Sequence, residues 1–366
     1  MSVIEQIALT KIKGIGPKYS RLLLAYFGNV ADLFSSSTQE LNAIPGLSRN
    51  IIQQIRSKAC FQEAETELRY VEKHGIDLLW IEDNEYPKRL MHCEDAPLLL
   101  YSYGRVDYNA QKVVSIVGTR NATAYGKRII EELIEGLKEM GVLIVSGLAM
   151  GIDVLVHLAS VRRNIPNIAV LGHGLSRIYP AQHRDISCEI INNGALLTEF
   201  PYQTQPDKSN FPMRNRIIAG LSDATIVVEA REKGGALITA RLANDYNRDV
   251  CAYPGAVDQP YSSGCNQLIK NNEAHLVRNS EDLLHLMQWK RQYDPKAEEG
   301  IQLTLIPNLT DDQRMIYDYI KIKKEASVDD IACFSDWPQS KLAVILLEME
   351  MAGYIHALPG KIYKML

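Results

Sequence analysis

Apolar and polar positions follow two different periods along this chain. Short β-branched runs stand at 113–117, 142–145, 168–171, 195–198, 225–229 and 250–253. Between them, apolar residues recur with helical spacing at about 126–140, 152–163, 182–193, 212–221 and 234–247. Strands alternating with helices predict repeated βαβ units, hence a doubly wound, mostly parallel, Rossmann-like α/β sheet. Gly118, Gly147, Gly172 and Gly255 fall where strands end, and open α/β sheets place their ligands at the strand C-terminal edge.

The flanks follow other patterns. Residues 1–66 read as short helices punctuated by Gly14-Ile15-Gly16-Pro17 and Ile44-Pro45-Gly46-Leu47-Ser48, a tandem helix-hairpin-helix (SAM-like) module. Turn N–H groups in that motif can hold a DNA phosphate, with Lys13, Lys18 and Arg49 nearby; such hairpins also serve as structural or protein-binding pieces. Residues 67–110 form a mixed approach, with a strand at 76–80 and a loop into a short helix at 86–90. Residues 286–307 lose the alternation and read as a linker after an α/β domain of 67–285. From 308 to 366, helices at 311–322, near Ser327 and at 339–351, then a hairpin around Tyr354 and Ile362, predict a winged helix.

Charge narrows the function classes. The 366 residues carry 40 Lys and Arg against 44 Asp and Glu, a net charge of −4, so any polyanion site must be a local patch. Residues 1–60 hold seven Lys/Arg against three Asp/Glu, whereas 308–366 hold seven against nine. The last segment therefore reads as a docking or regulatory wing more than a groove reader. Six scattered cysteines without a C-x-x-C pair predict neither disulfide nor metal framework, and no metal or cofactor is expected. Without a signal pattern or a long apolar run, a cytoplasmic protein with no membrane partner is expected.

Candidate chemistry gathers on the turns. Ser146 to Asp153 contains Gly147 and Gly151 at a strand-to-helix turn, where bare N–H groups suit a phosphate; equally, the glycines serve only the turn and Asp153 caps it. Arg120, Arg214 and Arg216 are placed on the sheet edge, with Asn215 between the last two and Phe211 as a stacking plate. Guanidinium groups bind phosphate oxygens in pairs, and exposed aromatics stack on unpaired bases. The competing reading pairs Arg214 or Arg216 with an internal carboxylate such as Glu199 or Glu229. Lys233 before Gly234-Gly235 opens another cationic turn. His157, His173 and His183 have no nucleophile or metal-ligand partner in any recognisable motif, and the dinucleotide fingerprint is absent.

The ordered motifs Gly118-Thr119-Arg120, Ser146 to Asp153, Tyr179-Pro180, Phe211 to Ser222, Gly234 to Ala240 and Tyr253-Pro254-Gly255 resemble the bacterial DNA-processing protein family, DprA or Smf. That resemblance implies a cytoplasmic protein that binds and protects single-stranded DNA during natural transformation, loads the RecA recombinase and forms a homodimer through its α/β domain. It implies DNA contacts at Arg120, Arg214, Arg216 and Lys233, with Gly147 and Gly151 shaping the turn. Gly234 stands where many relatives have serine. The alternative is an enzyme resembling nucleotide phosphoribohydrolases. The comparable turn, Lys233-Gly234-Gly235-Ala236, lacks their proline, third glycine and following acid, so binding without turnover is expected.

Overall fold

A computed structural model of the chain describes residues 2–289, 309–352, 354–358 and 362–365. These form two compact units, divided between Gln292 and Tyr293. The first begins with six helices: α1 (Val3–Thr10), α2 (Pro17–Phe27), α3 (Val30–Ser35), α4 (Thr38–Asn42), α5 (Arg49–Ser57) and α6 (Cys60–His74). Both predicted hairpin turns are present, and Gly14 and Gly46 adopt positive φ (90° and 81°), which glycine tolerates without a Cβ penalty. They are joined directly, because Gln54 of α5 accepts from the Lys13 N–H at 2.9 Å and donates to its carbonyl at 3.1 Å. Pro17 at the first turn of α2 costs no hydrogen bond.

The chain then runs through β1 (Asp77–Trp80), α7 (Lys88–Met91), β2 (Leu99–Gly104), β3 (Lys112–Val117), α8 (Ala124–Leu137), β4 (Val142–Ser146), α9 (Ile152–Arg162) and β5 (Asn167–Val170). A short 3-10 turn, Ala181–His183, leads into α10 (Arg184–Ile190), followed by β6 (Gly194–Thr198), α11 (Asn210–Leu221), β7 (Ala224–Val227), α12 (Gly235–Asp245), β8 (Asp249–Ala252), α13 (Ser263–Lys270), β9 (His275–Leu276) and α14 (Ser280–Leu286). The strands form one sheet in the order β1-β2-β6-β5-β4-β3-β7-β8-β9. From β6 to β9 every pairing is parallel, while β1–β2 and β2–β6 are antiparallel. All seven strands read from the sequence of this unit are present, the one at 76–80 as β1; β2 and β9 were not anticipated. Strand β2, Leu-Leu-Tyr-Ser-Tyr-Gly, has no β-branched residue, the enrichment by which a buried strand is read from sequence.

The central strands present opposite faces to two cores. Val113 and Val117 join the N-terminal helices in one cluster that also takes Ile7, Leu23, Leu33, Ile55, Trp80 and Ile217. Val114 and Ile116 pack with Ile129, Leu133, Ile144 and Val156 on the other face. The helical module and the sheet thus share one continuous core. An ionic contact reinforces this junction: Lys11 Nζ lies 2.6 Å from Glu67 Oε2, and Glu67 Oε1 accepts from the Tyr202 N–H at 2.7 Å. Glu67 is only 1% exposed, and its two oxygens satisfy a cation just past the end of α1 and a backbone donor beyond β6.

The second unit contains α15 (Asp311–Lys323), β10 (Glu325–Ser327), α16 (Val328–Ser335), α17 (Gln339–Met351), β11 (Ile355–Leu358) and β12 (Ile362–Met365). Its three strands pair in the order β10-β12-β11 over a core of Ile316, Ile320, Ile331, Leu342, Leu346 and Met349. This is the winged helix read from the sequence. Within the linker expected at 286–307, residues 290–307 lie outside the described residues, as do the hairpin residues Gly353 and Lys361. Residues 286–289 belong with the α/β unit, since Leu286, Met287 and Trp289 pack against its core.

Glu67→Ala is expected to lower the unfolding free energy of the first unit by about 3 kcal/mol, because it strands a largely desolvated ammonium and a partly buried N–H. A urea midpoint unchanged from the parent would show that the junction does not depend on this carboxylate.

Candidate nucleic-acid interface

Among the seven parallel strands, the order places β3 in the middle, with β4 on one side and β7 on the other. The chain leaves β3 for α8 and β7 for α12, which pack on opposite faces of the sheet. A crevice must open where such connections diverge. A cleft of about 470 Å³ lies there, lined among others by Gly118, Arg120, Lys208, Phe211, Arg214 and Lys233. The loop after β3 is held at Thr119, whose N–H donates to Glu229 O at 2.7 Å and whose carbonyl accepts from the Ile152 N–H at 3.0 Å.

The turn between β4 and α9 engages part of its donor set internally. Three of its donors are used within the protein: Ile152 N–H binds Thr119 O, Val154 N–H binds Ala149 O, and Asp153 Oδ2 accepts from Ala149 N–H at 3.4 Å. The reading in which Asp153 satisfies the turn is the one the geometry favours. Gly151 has φ +79°, and a Cβ there would overlap the Thr119 and Arg120 backbone. A Cβ on Gly147 would lie 2.6 Å from both Arg214 Nη1 and Asp153 Oδ2. Both glycines shape the cleft by admitting neighbours, Gly147 the buried Arg214 guanidinium.

That guanidinium belongs to Arg214 on α11, which is 4% exposed. Its Nη1 donates to the carbonyls of Gly147 (2.5 Å) and Val170, and its Nε to Asn215 Oδ1 at 3.2 Å. Asn215 in turn donates to Gly235 O at 3.3 Å, tying α11 to the start of α12. Burial lowers the Arg214 pKa to about 10, against the attraction of Asp153, with Arg120 adding to the depression. Burial conversely raises the Asp153 carboxyl, opposed first by Arg214. At neutral pH Arg214 therefore remains a cation on the floor of the cleft.

Arg216 does not join it. Two residues along a helix turn a side chain by roughly 200°, and Arg216 points to the other side of α11. It donates to Glu199 Oε2 and Asp95 O, with side-chain exposures of 8% for Arg216 and 11% for Glu199. The expected convergence of three arginines is corrected to two, and the internal carboxylate weighed as an alternative, Glu199, holds the third. The helical reading of 212–221 already implied that Arg214 and Arg216 face different ways.

The rim is cationic and aromatic. Arg120, Lys208, Arg231 and Lys233 are exposed along it. Arg120 lies over the Phe211 ring with its Cζ 5.6 Å from the centroid, and Phe211 is tilted against Tyr179 at 5.8 Å. Tyr179 is 47% exposed, so the aromatic pair presents surface to the cleft mouth. Gly234 and Gly235 open α12 without a side-chain cap, leaving the positive end of its backbone dipoles facing the cleft. Gly234 itself has extended φ, and a Cβ placed on it would meet nothing within 4 Å, so no steric need requires glycine there. Lys208 and Arg231 were missed in the sequence; their signal was proximity, Lys208 three residues before Phe211 and Arg231 two before Lys233.

The three histidines singled out in the sequence form no hydrolytic arrangement beside this surface. His173 hydrogen-bonds Gly174 O through Nδ1 at 2.9 Å and accepts the Tyr179 N–H at Nε2. His183 is tied to Leu148 O, and His157 to Asn167 Oδ1. All three are buried.

Comparison with known proteins adds an independent line. Residues 77–288 match the family model described as DNA recombination-mediator protein A, residues 7–59 a SAM-like helix-hairpin-helix tandem, and residues 304–361 a DprA winged helix domain. The chain is 36% identical to Protein Smf of Synechocystis over 285 residues, 76% of this chain and 71% of that protein. It is similar to the X-ray structure of DNA processing protein A from Streptococcus pneumoniae, with TM-score 0.66 and 32% identity over 79% of this chain and 99% of that one. A Helicobacter pylori relative, whose structure concerns its single-stranded DNA binding mode, aligns with TM-score 0.53 and 29% identity over 58% and 95% of the two chains.

Gly151→Ala is expected to cost about 2–3 kcal/mol of stability through its left-handed backbone and the overlap with Thr119, whereas Gly234→Ala should leave the thermal midpoint nearly unchanged. Equal losses in the two variants would contradict the geometry. A second expectation concerns pH. Burial holds the His157 pKa down to about 4 against an ordinary 6.5, so the unfolded chain binds the extra proton first. Its contribution is fully present above about pH 6.5 and is lost as the pH falls towards 4, by up to about 1.4 kcal/mol per unit. Urea titrations of His157→Gln should show a correspondingly shallower acid loss.

Proposed function

Because the chain belongs to the DNA recombination-mediator protein A family, we propose that it binds single-stranded DNA in the cleft between β3 and β7 and holds the strand without cutting it. The observation that carries this reading is the cleft itself: a buried Arg214 floor, exposed Arg120, Lys208, Arg231 and Lys233, a Phe211–Tyr179 plate and an uncapped α12 N-terminus. Phosphates are met by the cations and the helix end, and an unpaired base by the aromatic pair. A duplex hides its base faces and gains nothing from that plate. Single-stranded DNA is also the ligand of the Helicobacter pylori relative.

On this reading the protein shields incoming strands in the cytoplasm during natural transformation, hands them to the RecA recombinase and acts as a homodimer through its α/β domain. Membership of the family supports these roles, and the chemistry of the cleft suits the first of them. Arg216 is assigned to holding α11 on Glu199 rather than to direct contact with DNA. No helix of the described residues is long and apolar enough to cross a membrane.

Fluorescence anisotropy with a labelled oligonucleotide tests the site. Arg120→Ala with Lys233→Ala should weaken single-strand binding and lower the slope of log affinity against log salt by about 1.4, the value for two lost phosphate contacts at ~0.7 each. Phe211→Ala should cost about 1–3 kcal/mol of affinity at any salt. Unchanged affinity in both variants would remove the cleft as the binding site. Release of free base from nucleoside monophosphates by the purified protein would favour the phosphoribohydrolase reading instead.

A further inference from the structure

Helix α17 carries two apolar stripes where one suffices for its own domain. Leu342, Ile345, Leu346 and Met349 are buried in the winged-helix core. On the outer side, Val344, Leu347 and Met351 are 56%, 58% and 82% exposed, and Ser340 is exposed in line with them. The spacing of Ser340, Val344, Leu347 and Met351 is four, three, four, the seam of a helix that packs against another helix. A reader of nucleic acid would carry cations there, yet Lys341 is the single base on this helix, beside Glu348 and Glu350.

We propose that this seam packs antiparallel against the same helix of a second copy of the chain. The seam is symmetric about its midpoint between Ile345 and Leu346: Val344 meets Leu347 of the second copy, and Ser340 meets its Met351. The flank adjoining the seam carries Lys341 and Glu348, one heptad apart. In an antiparallel pair, equivalent flanks face each other, so Lys341 of each copy approaches Glu348 of the other and two opposite-charge contacts form by symmetry. A parallel pair would set Ala343 against Glu348 and join no opposite charges. Within one chain Lys341 rests on Asp312 at 2.8 Å and over Trp337, and Glu348 accepts from Gln313 at 3.2 Å. Lys341 and Asp312 keep 45% and 48% of their side-chain surface open, so a second copy can reach this flank.

A seam of about three turns buries far less than the roughly 800 Å² per partner of a free-standing dimer, so a covalent trap tests it better than a mass measurement. In the full-length chain with the exposed Cys188 and Cys333 replaced by serine, Ser340→Cys and Met351→Cys are made separately and oxidised alone or mixed. Identical positions in an antiparallel pair lie about 16 Å apart along the axis, beyond the roughly 7 Å Cα reach of a disulfide. The mixture should therefore give cross-linked dimer several-fold faster than either variant alone, and Leu347→Glu in both chains should abolish the excess. Cross-linking of single variants at the rate of the mixture, no cross-linking at all, or an excess that survives Leu347→Glu would overturn the proposal.

Discussion

Everything at the cleft rests on one buried cation. Arg214 reaches from α11 beneath the β4 turn and donates to carbonyls at the ends of β4 and β5. Asp153 balances its charge from the first turn of α9. A guanidinium this buried is tolerated only because its donors and its charge both find partners. The result is a rigid floor: the turn cannot move without stranding Arg214, and α11 cannot shift without opening Gly147 to a void. The exposed cations are confined to the rim.

The division between floor and rim shows how a chain of net charge −4 can still present a locally cationic surface. Only a few side chains around the β3–β7 crevice need be cationic, and the low-dielectric floor strengthens their field. Arg216 serves the same helix differently. Its pairing with Glu199 on the far side clamps α11 against the N-terminal half of the unit, so neighbouring cations on one helix divide into cleft and scaffold. Glu67 extends that scaffold to the helix-hairpin-helix module, whose turns are then carried by the same continuous core as the sheet.

Periodicity in the chain was enough to read the parallel strands, the intervening helices, the two hairpins and the winged helix, because each buries a face whose repeat is local. It also located Gly151, whose positive φ and tight approach to Thr119 follow from a strand-to-helix turn. Strand β2 escaped because its sequence, Leu-Leu-Tyr-Ser-Tyr-Gly, contains no β-branched residue. Lys208 and Arg231 escaped because loop cations carry no periodic signal.

The layers of the fold and the roster of phosphate-seeking and stacking residues were already written in the amino-acid order, since helix and strand periods and residue chemistry are local properties. Which of those residues share a space was settled by the three-dimensional packing alone. Arg214 and Arg216 are two positions apart in the chain, yet one lies under the cleft and the other is locked to Glu199. The separation is set by rotation about a helix axis and by which carboxylate lies opposite, and the second of these depends on packing between segments distant in sequence.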